Sequence, residues 1–163
     1  GFYIQAVTGA IDFTEHGEDD IVYEYSGNDD YPEHSLLLEA TLADSTNQRR
    51  MEMEPVSRHL GQHLLRSKNM DSYCIFATNY LHPNVVSDFR SRKNVPYYDQ
   101  QDDTKCVESM KIIPLSTDDL KAIIRTGTKY RDLYRIFDNA YKDETQVRPL
   151  EWRKQMIENI LSE

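Results

Sequence analysis

The stretch Ser35-Leu36-Leu37-Leu38-Glu39-Ala40-Thr41-Leu42 is nearly continuous in apolar residues, with Glu39 the exception. A run of this length between turn formers suits a β-strand buried on both faces. Just upstream, Asp20 to Tyr25 alternates, with Ile21, Tyr23 and Tyr25 on one face and Asp20, Val22 and Glu24 on the other. Strand side chains repeat every two residues, and β-branched and aromatic residues favour strands, so this is a second strand. The segment Ser26 to His34, with Gly27, Asn28 and Pro32, is a turn between them. The two strands form a hairpin.

Downstream, Asp44 to Asn47 is another turn, and residues 48–67 have a helical pattern interrupted by Pro55. Proline is best tolerated at the first helical position, so the pattern predicts a helix starting at Pro55 and capped by Glu54. Val56, Leu60 and Leu64 form its buried stripe. Tyr73 to Thr78 is the third strand, Asn84 to Lys93 a helix carrying Val85, Val86 and Phe89, and 94–106 a polar loop. Lys111 to Leu115 is the fourth strand. Ser116-Thr117-Asp118-Asp119 is similar to a capping box, with Asp in place of Glu, and opens a helix to Arg125. Tyr130, Leu133, Tyr134, Phe137 and Tyr141 lie at helical spacing, and Pro149 starts a last helix with Trp152, Met156 and Ile160. At the other end, residues 1–11 are mildly apolar and 12–19 read as a loop. This order predicts an α/β fold with a mixed central sheet of about four to five strands flanked by helices. The expectation is one domain over 1–163, with a core at 18–125 and C-terminal helices at 126–163.

Composition excludes several classes. In the 163 residues, 29% are charged and 39% hydrophobic, a globular mix rather than a disordered one. No run reaches the roughly 18 apolar residues of a membrane helix, so no membrane association is expected. No basic segment precedes an apolar run at the N-terminus, as a secretory signal requires. Gly1, where Met would stand, reads as the start of a fragment or processed chain. Cys74 and Cys106 are too few for a disulfide framework or a structural zinc site, so a reducing, cytoplasmic location is the expectation.

The net charge of −9 argues against nucleic-acid binding until its distribution is considered. Residues 1–48 hold eleven Asp or Glu and no Lys or Arg, whereas 49–163 hold all 19 basic residues. A local acidic excess is either a solvated face or a site for a divalent cation. Glu39 sharpens the question, because a carboxylate in an apolar strand needs a partner, whether an Arg, a hydrogen-bond donor or a metal. Asp20, on the neighbouring strand, can face the same side. Two acids so placed can hold a divalent ion through oxygen ligands, as phosphodiester hydrolysis requires. Nucleases of this kind usually carry Glu-x-Lys on the second strand; here the third position is Thr41, on the face of Glu39.

The segment Gln48-Arg49-Arg50-Met51-Glu52-Met53-Glu54-Pro55-Val56-Ser57-Arg58-His59 follows. Together with the hairpin and the Glu39-Ala40-Thr41 strand, this segment resembles the AlwI-like type IIS restriction and strand-nicking endonucleases. The resemblance continues through Tyr73-Cys74-Ile75-Phe76-Ala77 and Lys111-Ile112-Ile113-Pro114-Leu115-Ser116, covering roughly residues 18–125. It implies a restriction-endonuclease-like core of the PD-(D/E)xK superfamily, in which Asp20, Glu39 and Glu52 match acidic positions that bind metal. His59 matches the family's histidine and Gln48 a polar position of the same segment. In a continuous helix Gln48, Glu52 and His59 fall in one sector, although Pro55 can break that geometry. Outside this context, His59 reads as a core or capping histidine. Arg58 is either a phosphate contact or a surface ion pair, and Glu54 a cap or structural acid.

The resemblance further implies a Mg²⁺-dependent deoxyribonuclease, with Mn²⁺ as a substitute, that cuts one strand of double-stranded DNA per active site. Sequence recognition then belongs to a separate domain or a large subunit, and double-strand cleavage to a transient pair of nuclease domains. Thr41 at the lysine position, and an upstream helical Glu that is either missing or on an unseen segment, leave a second reading. That reading is a degenerate nuclease fold serving as a DNA- or protein-binding module.

Overall fold

The computed structural model describes residues 11–13, 21–43 and 45–163. Its central sheet consists of β1 (Ile11–Phe13), β2 (Ile21–Tyr25), β3 (His34–Thr41), β4 (Tyr73–Thr78) and β7 (Ile112–Ser116), in the order β1-β2-β3-β4-β7. The first three strands are antiparallel, and β3, β4 and β7 are parallel, so the sheet is mixed, as the sequence predicts. Parallel neighbours need a crossover. The long helix α1 (Ser45–Ser67) joins β3 to β4, and α2 (Pro83–Ser91) lies between β4 and β7. The helices α3 (Thr117–Thr126), α4 (Tyr130–Lys142) and α5 (Pro149–Leu161) follow.

Strand alternation sorts the core into two layers. Leu36, Tyr73, Ile75, Ile113 and Leu115 pack with Ile123 of α3, Tyr130 and Phe137 of α4, and Trp152 and Met156 of α5. Leu37, Val22, Cys74, Phe76 and Ile112 pack on the opposite face with Val56, Leu60 and Leu64 of α1 and Val85 and Phe89 of α2. Glu39 follows Leu37 by two residues and therefore lies on the α1 face. The aromatic stripe of the C-terminal helices is core: Tyr130, Tyr134, Phe137 and Trp152 are all buried. The capping box of α3 forms through Ser116 and Asp119, and Gly127 closes that helix at φ 67°.

Three expectations need correction. Helix α1 begins at Ser45, not at Pro55, and carries the proline inside it. Proline removes one helical N–H and costs about 3 kcal/mol in a helix interior. The first turns of α1 are nonetheless held on the sheet by Gln48 and Glu52, which offsets that local penalty. Glu54 is therefore not a cap but an exposed mid-helix acid. Residues 94–106 are not wholly a loop, because β5 (Tyr97–Tyr98) pairs antiparallel with β6 (Cys106–Val107). Asp12 and Phe13, read as loop, belong to β1. Among the described residues no helix is long and apolar enough to cross a membrane.

Candidate active site

The site is a seam between β3 and α1. The helix runs back along the strand, so successive turns of α1 meet successive same-face positions of β3 in reverse order. At the carboxyl end of the strand, Gln48 Nε2 donates to the carbonyl oxygen of Ala43 at 2.9 Å. Next, the Thr41 hydroxyl donates to Glu52 Oε1 at 2.7 Å. Deeper in the seam, His59 Nδ1 and Glu39 Oε1 are 2.8 Å apart. Glu52 and His59 are seven residues apart, a spacing that returns to nearly the same side of a helix, and Pro55 between them does not disturb it.

Burial gives the pairs their strength. The side chains of His59 and Glu39 are only 12% and 13% exposed, so both groups are largely out of water. An ionised carboxylate can only accept, so the Glu39 pairing places the proton of a neutral His59 on Nδ1. Nε2, shielded from solvent, then carries the lone pair. Thr41 accepts the Ala43 N–H at 3.0 Å while donating to Glu52, so its hydroxyl orientation is fixed from both sides.

Gln48 is fully buried. Its Nε2 also lies 2.7 Å from the Tyr80 carbonyl and 3.1 Å from Thr78 Oγ1, and its Oε1 accepts the His82 N–H at 2.9 Å. The amide thereby ties together the chain ends leaving β3 and β4, the two parallel strands whose Thr41 and Thr78 are in register. His82 in turn caps α2, its Nδ1 accepting from the Asn84 N–H.

The structure thus brings Glu39, Glu52, His59 and Gln48 onto one seam. Asp20 lies outside the described residues. Among the described residues no three His, Cys, Asp or Glu side chains form a metal-holding group. Arg58 Nε lies 3.2 Å from Glu54 Oε1 one turn back on α1, and Glu54 also accepts from Gln100 Nε2. Thr41 is the residue whose part the sequence reading left out. It registered there only as a missing lysine, yet its position two residues from Glu39 was the signal that it shares the face.

Family comparison decides what this sheet and its seam belong to. The sequence profile described as AlwI restriction endonuclease matches residues 14–123, more than half of the chain. The chain belongs to the AlwI restriction endonuclease family. Among solved structures, this AlwI-family chain is similar to the small subunit (R.BspD6I2) of the heterodimeric restriction endonuclease R.BspD6I. The TM-score is 0.59 at 22% identity, over 87% of this chain and 68% of that one. At that identity the likeness establishes the fold. No curated protein is significantly similar to the AlwI-family chain.

Proposed function

We propose that this restriction-endonuclease-family chain hydrolyses DNA phosphodiester bonds with a divalent metal, one strand per active site, as the cleavage part of a type IIS or strand-nicking enzyme. The observation that carries the reading is the seam itself: two carboxylates, Glu39 and Glu52, each oriented by a hydrogen bond, beside a buried histidine. Structural ion pairs of no function also occur, but a carboxylate kept largely dry in an apolar strand is costly to retain without a task.

Mg²⁺ favours one or two carboxylates and completes its shell with water and phosphate oxygens, so the hard oxygen donors of Glu39 and Glu52 fit it. Asp20, which the sequence reading sets beside them, would supply a further oxygen donor. When bound, such an ion neutralises phosphate charge and lowers the pKa of a bound water. Thr41 keeps Glu52 in place, and Glu39 keeps the His59 ring in one orientation. His59 Nε2 takes up or passes on a proton. Gln48 holds the floor on which these groups sit. Sequence recognition falls to a separate domain or subunit, and paired cuts to a second nuclease domain.

Supercoiled plasmid incubated with the chain in Mg²⁺, and in EDTA, tests this. Nicking in Mg²⁺ that Mn²⁺ also supports, and that Glu39→Gln abolishes with the fold intact, is the expected result. A chain that binds plasmid but leaves it uncut at every metal concentration would instead favour the degenerate binding module.

A further inference from the structure

Away from the seam, the N-terminal half of α1 and the helix α2 border an open groove of about 540 Å³, lined by Arg49, Arg50, Met53, Asp88, Ser91, Arg92 and Val95. Three arginines face one acid there, in a chain whose net charge is −9. Arg49 is half exposed and engages the Asp88 carboxylate through Nε and Nη2, the latter at 3.2 Å. Asp88 therefore serves to hold one guanidinium. Arg50 is exposed and Arg92 half-buried, and among the described residues neither is paired with a carboxylate. Lys93 follows directly, its Nζ 3.3 Å from Glu144.

We infer that this groove holds backbone phosphates of the DNA that flanks the cut, with Arg50 and Arg92 as the phosphate contacts and Arg49 positioned by Asp88. The guanidinium is planar, always charged and weakly hydrated, and its forked donors match phosphate oxygens. Two unpaired guanidinium groups on an open groove otherwise repel each other, and a polyanion relieves this. The groove opens on the same helix that carries Glu52 and His59, and Arg49 and Arg50 directly follow Gln48 in the chain. A strand tracking it stays beside the seam. The choice of DNA as occupant rests on the nuclease reading; an acidic polypeptide is the alternative that the test removes.

The test is binding of a 20-base-pair duplex of arbitrary sequence to the full chain by fluorescence anisotropy, in EDTA so that no cleavage intervenes, from 50 to 200 mM salt. Each phosphate contact contributes about 0.9 to the slope of log affinity against log salt. Arg50→Gln/Arg92→Gln should therefore reduce the affinity lost across that fourfold salt range by about 12-fold. Arg50→Lys/Arg92→Lys should restore the slope, which a folding defect would not, and Arg135→Ala on the opposite sheet face should leave it unchanged. A wild-type slope in the Gln pair overturns the inference, as does competition by polyglutamate with no change in the duplex slope. Metal-dependent nicking is read separately. A reduced slope with no nicking in any variant keeps the groove and removes the nuclease reading, whereas nicking with an unchanged slope does the reverse.

Discussion

Thr41 follows Glu39 by two residues on the same face, and its hydroxyl is committed to Glu52 at 2.7 Å and to the Ala43 N–H at 3.0 Å. A hydrogen bond to a charged group contributes about 1.5–3 kcal/mol, so Thr41→Val should lower thermal stability by an amount in that range. In the proposed reading Glu52 holds the metal, and removing a group that orients such a ligand typically costs about 10–100-fold in metal affinity or activity. Nicking by Thr41→Val, followed against Mg²⁺ concentration, should show that loss, and Thr41→Ser should recover most of it. Wild-type Mg²⁺ dependence in Thr41→Val would mean that Glu52 needs no such support. Glu39 and His59 were legible in the sequence because each breaks a local rule, an acid inside an apolar strand and a histidine in a specific motif. The bond between them was not, because twenty residues separate them and only the packing of α1 on β3 closes the distance. Gln48 was legible as a polar position of the same motif, but its set of partners on Ala43, Tyr80 and His82 is purely tertiary.

Helix α1 shows where local rules fail. A proline rule applied to the sequence starts the helix at Pro55, yet the element runs unbroken from Ser45 to Ser67 because its first turns are anchored by side chains, not by propensity. The strands β2, β3, β4 and β7 and the cap of α3 were readable because period and capping chemistry are encoded within each segment. The β5–β6 ribbon was not, since strands of two residues carry no periodicity. That ribbon packs on α1 at Gly61, where a Cβ would clash with the Tyr97 ring. Overpacking of this kind costs about 1–3 kcal/mol, so Gly61→Ala should lower the melting temperature by several degrees. Combining it with Tyr97→Leu should return part of the loss. An unchanged melting temperature in Gly61→Ala would show that the ribbon swings away freely.

The molecule has two poles along its sheet. The carboxyl ends of β3 and β4 carry the seam, and the opposite end carries a dry polar–aromatic cluster under α4. There His34 is fully buried, its Nδ1 2.7 Å from the Pro32 carbonyl and its Nε2 2.7 Å from the Tyr130 hydroxyl. The carbonyl can only accept, so Nδ1–H donates to it and Nε2 accepts from Tyr130, whose oxygen lies 2.9 Å from the Tyr73 hydroxyl. Lys111 sits in the same cluster, 3.0 Å from Asp138 and over the rings of Tyr73 and Tyr134. Nothing in the sequence pattern assembles these residues, which come from β3, β4, α4 and the residue before β7. Burial lowers the pKa of His34 from 6.5, and nearby Lys111 lowers it further, against the opposing pull of the Pro32 carbonyl and Asp71. Burial likewise lowers that of His63 on α1. Between the folded pKa and 6.5 the unfolded chain binds more protons than the folded one, so stability falls as pH drops through this window and is fully present above it. The melting temperature should therefore decline from pH 7.5 to pH 5. His34→Gln, which loses hydrogen bonds but cannot be protonated, should melt lower at pH 7.5 yet lose less on acidification. A wild-type decline in both His34→Gln and His63→Gln would clear these two histidines; Asp138, held below 3.8 by Lys142 and Lys111 against the opposing effect of burial, keeps its charge throughout this range and cannot be the cause.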